Sequence, residues 1–239
     1  MGMYKVAIVA ALEREVRPLV RGWRIGDKDY GGRQFRFFEK DHFVLVCGGI
    51  GGEAARRAAE AVIAQYSPEI IYSTGFAGAL GPDLKVGDIF EPQRVVNAGD
   101  GSSATVDGGE GVLVSFGSVA SPEQKRKLRE SYSAQAVDME ASAVARAAQL
   151  GDVGFAAVKV ISDEFDFTFP AMDRFIDAEG RFREGRFALY TGLRPWLWPA
   201  VARLARNSNR ASRALCARLA ELMSNQESTA SGREAVPRQ

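Results

Sequence analysis

The sequence predicts an α/β fold around a mixed, largely parallel central sheet, and three observations predict it. Short apolar runs of buried-strand length recur from Tyr4 to Asp163. Helical segments separate most of them, the pattern of parallel strands joined by crossovers. One close pair of runs, Gln34–Phe38 and Phe43–Cys47 around the Glu39-Lys40-Asp41 turn, adds an antiparallel hairpin. At 239 residues the chain fits one large domain. A chain of this size buries roughly 70–75% of the surface its unfolded form exposes, so it needs no disulfide or metal to fold.

Tyr4–Ala10 is the first buried strand and passes into Ala11–Val16, the start of a helix. After the hairpin, the glycine-rich Gly48–Gly52 opens an alanine-rich helix from Glu53 to Tyr66. Ile70–Thr74 is a strand ending in the small-residue loop Gly75–Gly78. Asp88–Asn97 and Gly111–Phe116 are strands separated by a Gly/Ser/Asp-rich loop over 98–110. Ser121-Pro122-Glu123-Gln124 starts a helix, with Ser as cap, Pro at a position that needs no N–H, and Gln reaching back. Gln135–Met139 is a short strand feeding a helix from Glu140 to Leu150, and Phe155–Ile161 is the last buried strand, broken by Ser162-Asp163. Beyond Arg194–Pro199, Arg203, Arg206, Arg210 and Arg213 fall at helical spacing, with Leu204, Ala211, Leu215, Leu219 and Leu222 on a neighbouring face. The chain therefore divides into a main domain over 1–193, a basic amphipathic helix over 194–224 and an unstructured polar tail over 225–239.

Composition excludes several functions. Lys+Arg (31) and Asp+Glu (30) nearly cancel, so no positive field invites nucleic acid. Cys47 and Cys216 form no CxxC pair and read as buried thiols in a reducing compartment. His42 is the lone histidine and reads as a half-exposed strand residue, so no metal site is expected. No run approaches the length of a membrane-spanning helix, and Met1–Lys5 leads straight into a strand without a basic leader. These features predict a cytoplasmic protein.

Open α/β sheets bind ligands beyond the carboxyl ends of their strands. Three such ends carry Glu13 and Glu15, Gly75–Gly78, and Ser162-Asp163, and Glu140 opens a helix after a fourth. Carboxylates converging on one rim suit general acid and base catalysis. Taken singly, Glu15 and Glu140 also fit as partners of a helix dipole, worth about 0.3–1 kcal/mol, and Asp163 as a cap. Gly49-x-Gly51-x-x-Ala54 is a loose dinucleotide fingerprint, but it follows a hairpin strand and opens no βαβ unit.

Five stretches in order, AIVAALEREV (7–16), GGIGGEAA (48–55), STGFAGAL with LKVGDIF (73–90), AVDMEASAVA (136–145) and VKVISDEFD (158–166), resemble the nucleoside phosphorylase/nucleosidase superfamily. Within it they resemble the methylthioadenosine/S-adenosylhomocysteine nucleosidases. The resemblance implies a three-layer α/β/α sandwich, a homodimer, and cleavage of the N-glycosidic bond of a small-molecule purine nucleoside. It implies no cofactor, with inorganic phosphate as co-substrate only if the reaction is phosphorolysis. Glu15 matches the residue that activates the attacking water, and Asp163, with Ser162 beside it, the acid at purine N7. Met139 and Glu140 match the pair that holds the ribose. Ile50 and Gly51 match the stretch near the sugar and water, and Ala77 and Gly78 the loop passing close to the ligand. The implied roles require Asp163 protonated and Glu15 and Glu140 ionised. Two carboxylates in the 10–15 loop favour water over phosphate as the nucleophile.

Four departures stand out. Phe76 replaces a serine, Lys159 replaces an arginine near the water site, the 98–120 region is shortened, and Ala120 falls where a base-stacking phenylalanine is expected. With RPWLWPAVARLAR (194–206) and SVASPEQKRKL (118–128), they resemble the hopanoid-associated phosphorylases, a branch linked to release of adenine from adenosylhopane. Trp196 and Trp198 beside the basic helix suit contact with an anionic inner-membrane surface; the other reading of the same residues is a C-terminal helix packed on the domain with a solvated basic face. A third reading is a non-catalytic nucleoside-binding member, with Phe76 plugging the pocket.

Overall fold

The computed structural model describes residues 5–167, 172–177 and 179–234. The first strand, β1 (Val6–Ala10), lies parallel between β4 (Phe43–Cys47) and β5 (Ile70–Ala79). The other edge of β5 runs parallel to β11 (Gly154–Asp163) from Ile70 to Gly78. The last residues of β5 turn onto β10 (Ala136–Asp138), antiparallel, and parallel pairing then resumes through β9 (Val112–Ser115) to β7 (Arg94–Asn97). Most antiparallel ladders lie at the margins. They are β2 (Arg24–Tyr30) with β3 (Arg33–Lys40), β3 with β4, β8 (Ser103–Thr105) with β7, and β6 (Ile89–Phe90) with β11. The sheet is mixed and largely parallel, as predicted.

Helices cover both faces. On one, α2 (Gly52–Tyr66) and α4 (Ala141–Leu150) bring Ala55, Ala58, Ala59, Val62, Val144 and Ala148 onto Ala7, Val9 and Ile71. Their small side chains let helix and sheet approach closely. On the other, α1 (Glu13–Val20) and α6 (Trp198–Glu234) pack Val16, Val20, Ala211, Leu215, Leu219 and Met223 against Ile8, Leu45, Val158 and Val160. The C-terminal helix is therefore a structural layer with its arginines outward: Arg206, Arg210 and Arg213 are exposed. Beyond the sheet, α3 (Pro122–Tyr132) begins with the predicted capping box between Ser121 and Gln124, and α5 (Glu184–Gly192) precedes α6.

Several boundaries differ from expectation. β2 is an edge strand of sequence RIGDKDY whose exposed, polar residues conceal it from hydrophobic periodicity. Gly75–Gly78 belongs to β5, and the 98–110 loop contains β8. The hairpin turn falls at Asp41-His42, with Asp41 at φ +50° and His42 exposed, because Glu39 and Lys40 stay in β3. Glu140 is the N-cap of α4. Helix α6 passes the boundary expected at 224 and continues to Glu234. Residues 225–231 contain neither Pro nor Gly, so a helix already nucleated on the core propagates through them. The remaining 235–239 lie outside the described residues.

Candidate active site

A cavity of about 180 Å³ opens at the carboxyl ends of β1, β5, β10 and β11. Glu15, Ile50, Phe76, Ala77, Gly78, Met139, Glu140, Ser162 and Asp163 all line it, so nine of the predicted positions meet at one site. Gly51 and Lys159 do not line this cavity; each supports a residue that does.

Glu15 sits in the first turn of α1, where its N–H donates to Leu12 O (3.0 Å). Its own carbonyl accepts from Ser212 Oγ of α6 (2.9 Å), so the C-terminal helix anchors the segment that carries it. The side chain is buried, and among the described residues Oε2 has no hydrogen-bond partner. Gly75 is required behind it: its φ is +139°, and a Cβ there would stand 2.9 Å from Oε2. Burial, reinforced by the nearby Glu140, raises the Glu15 pKa to about 7.

Glu140 is aimed by backbone donors. Its Oε1 accepts from Gly51 N–H (2.8 Å) and its Oε2 from Met139 N–H (3.2 Å). Gly51 can present that N–H because it adopts φ +96° at the start of α2. Burial first, then the neighbouring Asp138, raises the Glu140 pKa to about 7 as well. Beneath the site Lys159, 0% exposed, pairs with Asp138 Oδ2 (2.9 Å) and donates to Ser73 Oγ (3.1 Å). Asp138 also accepts from Ser115 Oγ (2.6 Å) and Ala141 N–H (2.8 Å). This fully paired unit fixes the β10–α4 turn that carries Met139 and Glu140. Lys159 is thus a buried support, where a residue touching the ligand was expected.

Asp163 departs from expectation in its charge partner. Ser162 Oγ donates to Oδ1 (2.8 Å), and Lys125 Nζ of α3 reaches Oδ2 (2.5 Å) while also donating to Glu164 O (2.9 Å). The expected acid carrying its own proton is here one half of an ion pair. Sequence reasoning missed both Lys125 and Asp138. The signal for Lys125 was present: in a very polar helix it lies on one stripe with Leu128 and Tyr132, the face turned to the core.

A second cavity, about 810 Å³, adjoins the first and shares Arg14, Phe76, Val119, Ala120, Ser162 and Asp163 with it. Its remaining wall is mainly apolar: Phe167, Phe182, Phe187 and Ala188 face Val201, Leu204 and Ala205 of α6. Phe76 therefore stands at the junction of the two spaces. Arg14 leans over the Phe182 ring (4.9 Å) and lies 3.9 Å from Glu184. Both cysteines are free thiols, and burial pushes Cys47 beyond the ordinary thiol range. Among the described residues no cluster suits a metal ion, and no helix is long and apolar enough to cross a membrane.

The family model of the phosphorylase superfamily matches residues 5–120 and 110–184. In sequence, the chain is 26% identical over 195 residues to a 5'-methylthioadenosine/S-adenosylhomocysteine nucleosidase of Staphylococcus epidermidis, covering 66% of this chain and 86% of the relative. In structure it is similar to the nucleosidase of that kind from Neisseria meningitidis in complex with methylthio-immucillin-A: TM-score 0.68, 19% identity, 93% of this chain and 99% of that one. It is also similar to a futalosine hydrolase mutant of Helicobacter pylori: TM-score 0.60, 23% identity, 68% of this chain and 88% of that one. These structural likenesses establish the fold.

Proposed function

The chain belongs to the phosphorylase superfamily, and on that premise we propose that it hydrolyses the N-glycosidic bond of an adenine nucleoside. One observation carries this reading: the buried, unpartnered Glu15 Oε2 lines the same cavity as Glu140 and Asp163. As the C1′–N9 bond breaks, the purine takes its electron pair and positive charge develops on the sugar. Glu140, held by two backbone N–H groups, accepts hydrogen bonds from the ribose hydroxyls and favours that cation. Met139 packs on the sugar. Glu15, ionised above about pH 7, takes a proton from water attacking C1′, the division of labour of an inverting glycosidase. The base leaves beside Asp163, where it acquires a proton.

Water fits better than phosphate as nucleophile. Two buried carboxylates line this cavity, and a phosphate dianion beside them would be repelled. The family's homodimer belongs to the same reading. The test is incubation with a panel of 5′-substituted adenosines, with and without phosphate. Free adenine and ribose, in amounts independent of phosphate, are expected. Ribose 1-phosphate would overturn hydrolysis in favour of phosphorolysis, and binding without adenine release would support a non-catalytic role.

A finer reading rests on the larger cavity. We infer that the 5′ substituent is bulky and apolar, because a space of about 810 Å³ with phenylalanine walls continues from the small site. This agrees with the resemblance to the hopanoid-associated branch, which is linked to release of adenine from adenosylhopane. Contact with a membrane surface fits the same reading. Leu189 (67%), Leu193 (70%), Trp196 (72%) and Trp198 (57%) are exposed beside Arg194, on the segment whose Phe187 and Ala188 line the cavity.

A further inference from the structure

The pair formed by Lys125 and Asp163 has no place in the roles assigned so far. Burying an ammonium costs several kcal/mol unless a partner offsets it, yet Lys125 is only 3% exposed, on a helix otherwise rich in solvated charge. It is aimed at the cavity wall, with Asp163 Oδ2 at 2.5 Å and Glu164 O at 2.9 Å. Gly78 makes room for the contact: a Cβ there would lie 2.8 Å from Asp163 Oδ2 and 3.2 Å from Lys125 Nζ. Ser162 Oγ holds the second carboxylate oxygen, so the pair is fixed from three elements.

A departing purine becomes an anion unless a ring nitrogen is protonated. A bare carboxylate beside it would oppose departure, and the proton-bearing group that touches Asp163 here is Lys125 Nζ. We propose that Lys125 supplies the proton taken by the leaving base, acting through Asp163. Lys125 passes one Nζ proton to the Asp163 carboxylate, and Asp163 gives it to a purine ring nitrogen as the C1′–N9 electron pair moves onto the base. The pair begins neutral overall, with an ammonium and a carboxylate. It ends with charge −1, an amine and a carboxylate, beside neutral adenine, and solvent restores the proton after release. Lys125 is thus a positioning residue and proton reservoir for Asp163, and the assignment rests on the N-glycosidic reading above.

The test compares wild type with K125M and K125R on two substrates. One is the adenosine of the panel that the wild type cleaves fastest; the other is 4-nitrophenyl β-D-riboside, whose nitrophenolate leaves without a proton. K125R retains the charge but cannot release a proton. Both variants are expected to lose about 10²-fold or more in kcat on the adenosine while keeping wild-type kcat on the nitrophenyl riboside. Equal losses on both substrates, or full adenosine activity in K125R, would overturn the proposal while leaving cleavage intact. Failure of the wild type to release adenine from any adenosine would overturn the cleavage reading itself, and the proposal with it.

Discussion

Glu15 joins function and instability in one side chain. Its pKa, about 7 against a usual 4.5, means that the native state holds a proton between those values that the unfolded chain has released. The native state binds more protons there, so stability falls as pH rises from about 4.5 to 7, and above 7 the full cost of the buried carboxylate remains. A shift of this size corresponds to about 3 kcal/mol. Glu15→Gln should therefore raise the melting temperature at pH 8 by several degrees and leave it nearly unchanged at pH 4, read by calorimetry. The same variant should lower adenine release by roughly 10²–10⁴-fold, because the amide cannot accept the water's proton. The activity of the wild type should rise through about pH 7 as Glu15 ionises. Gly75 tests the geometry separately. Gly75→Ala forces a side chain at φ +139° into the space of Oε2, so activity should fall although every acidic group is retained. Full activity in Gly75→Ala would show that Oε2 tolerates displacement.

At the scale of elements, legibility followed burial. Strands walled by apolar neighbours, such as Val6–Ala10 and Phe43–Cys47, are continuous hydrophobic runs and were readable. Arg24–Tyr30 was not, because an edge strand with polar side chains carries its pairing in the backbone alone. The acids were legible because each follows a strand end; Lys125 was hidden because a lysine in PEQKRKL looks like any solvated charge until its stripe is traced to Leu128. The C-terminal helix was legible as amphipathic, with Leu215 on its apolar face, and Leu215 is 0% exposed in the core. That Ser212 holds the Glu15 carbonyl was not legible, because a serine on such a helix carries no sign of its partner. Leu215→Ala should destabilise the protein by about 2–5 kcal/mol, measured by urea unfolding. Ser212→Ala should mainly reduce kcat, since it frees the turn bearing the base while leaving the apolar contacts in place. Wild-type kcat in Ser212→Ala would separate the helix from the chemistry.

At the scale of the molecule, the two cavities and the exposed aromatic segment form a sequence in space. A small acid-lined chamber, where the proposed reaction places the sugar, is adjoined past Phe76 by a larger apolar chamber; α5 carries Phe187 on the chamber wall with Leu189 outside, and Leu193 is exposed just beyond its end. A substrate with a long apolar 5′ group would bury each added methylene for about 0.8 kcal/mol, close to a four-fold gain in affinity. Across a series of 5′-alkylthioadenosines, KM should therefore fall steadily with chain length until the chamber is filled, with kcat little changed because that contact is made equally in ground and transition states. Phe76→Ser, which widens the junction, should flatten the dependence. The external segment makes an independent demand. Tryptophans beside arginines favour an anionic lipid interface, so the protein should sediment with vesicles containing phosphatidylserine and remain in solution with neutral ones. Substituting Trp196→Ser and Trp198→Ser together should abolish sedimentation without altering turnover of a short-chain substrate. Retained sedimentation in that double variant would remove the aromatic segment from membrane contact, and a KM indifferent to chain length would remove the apolar chamber from substrate recognition.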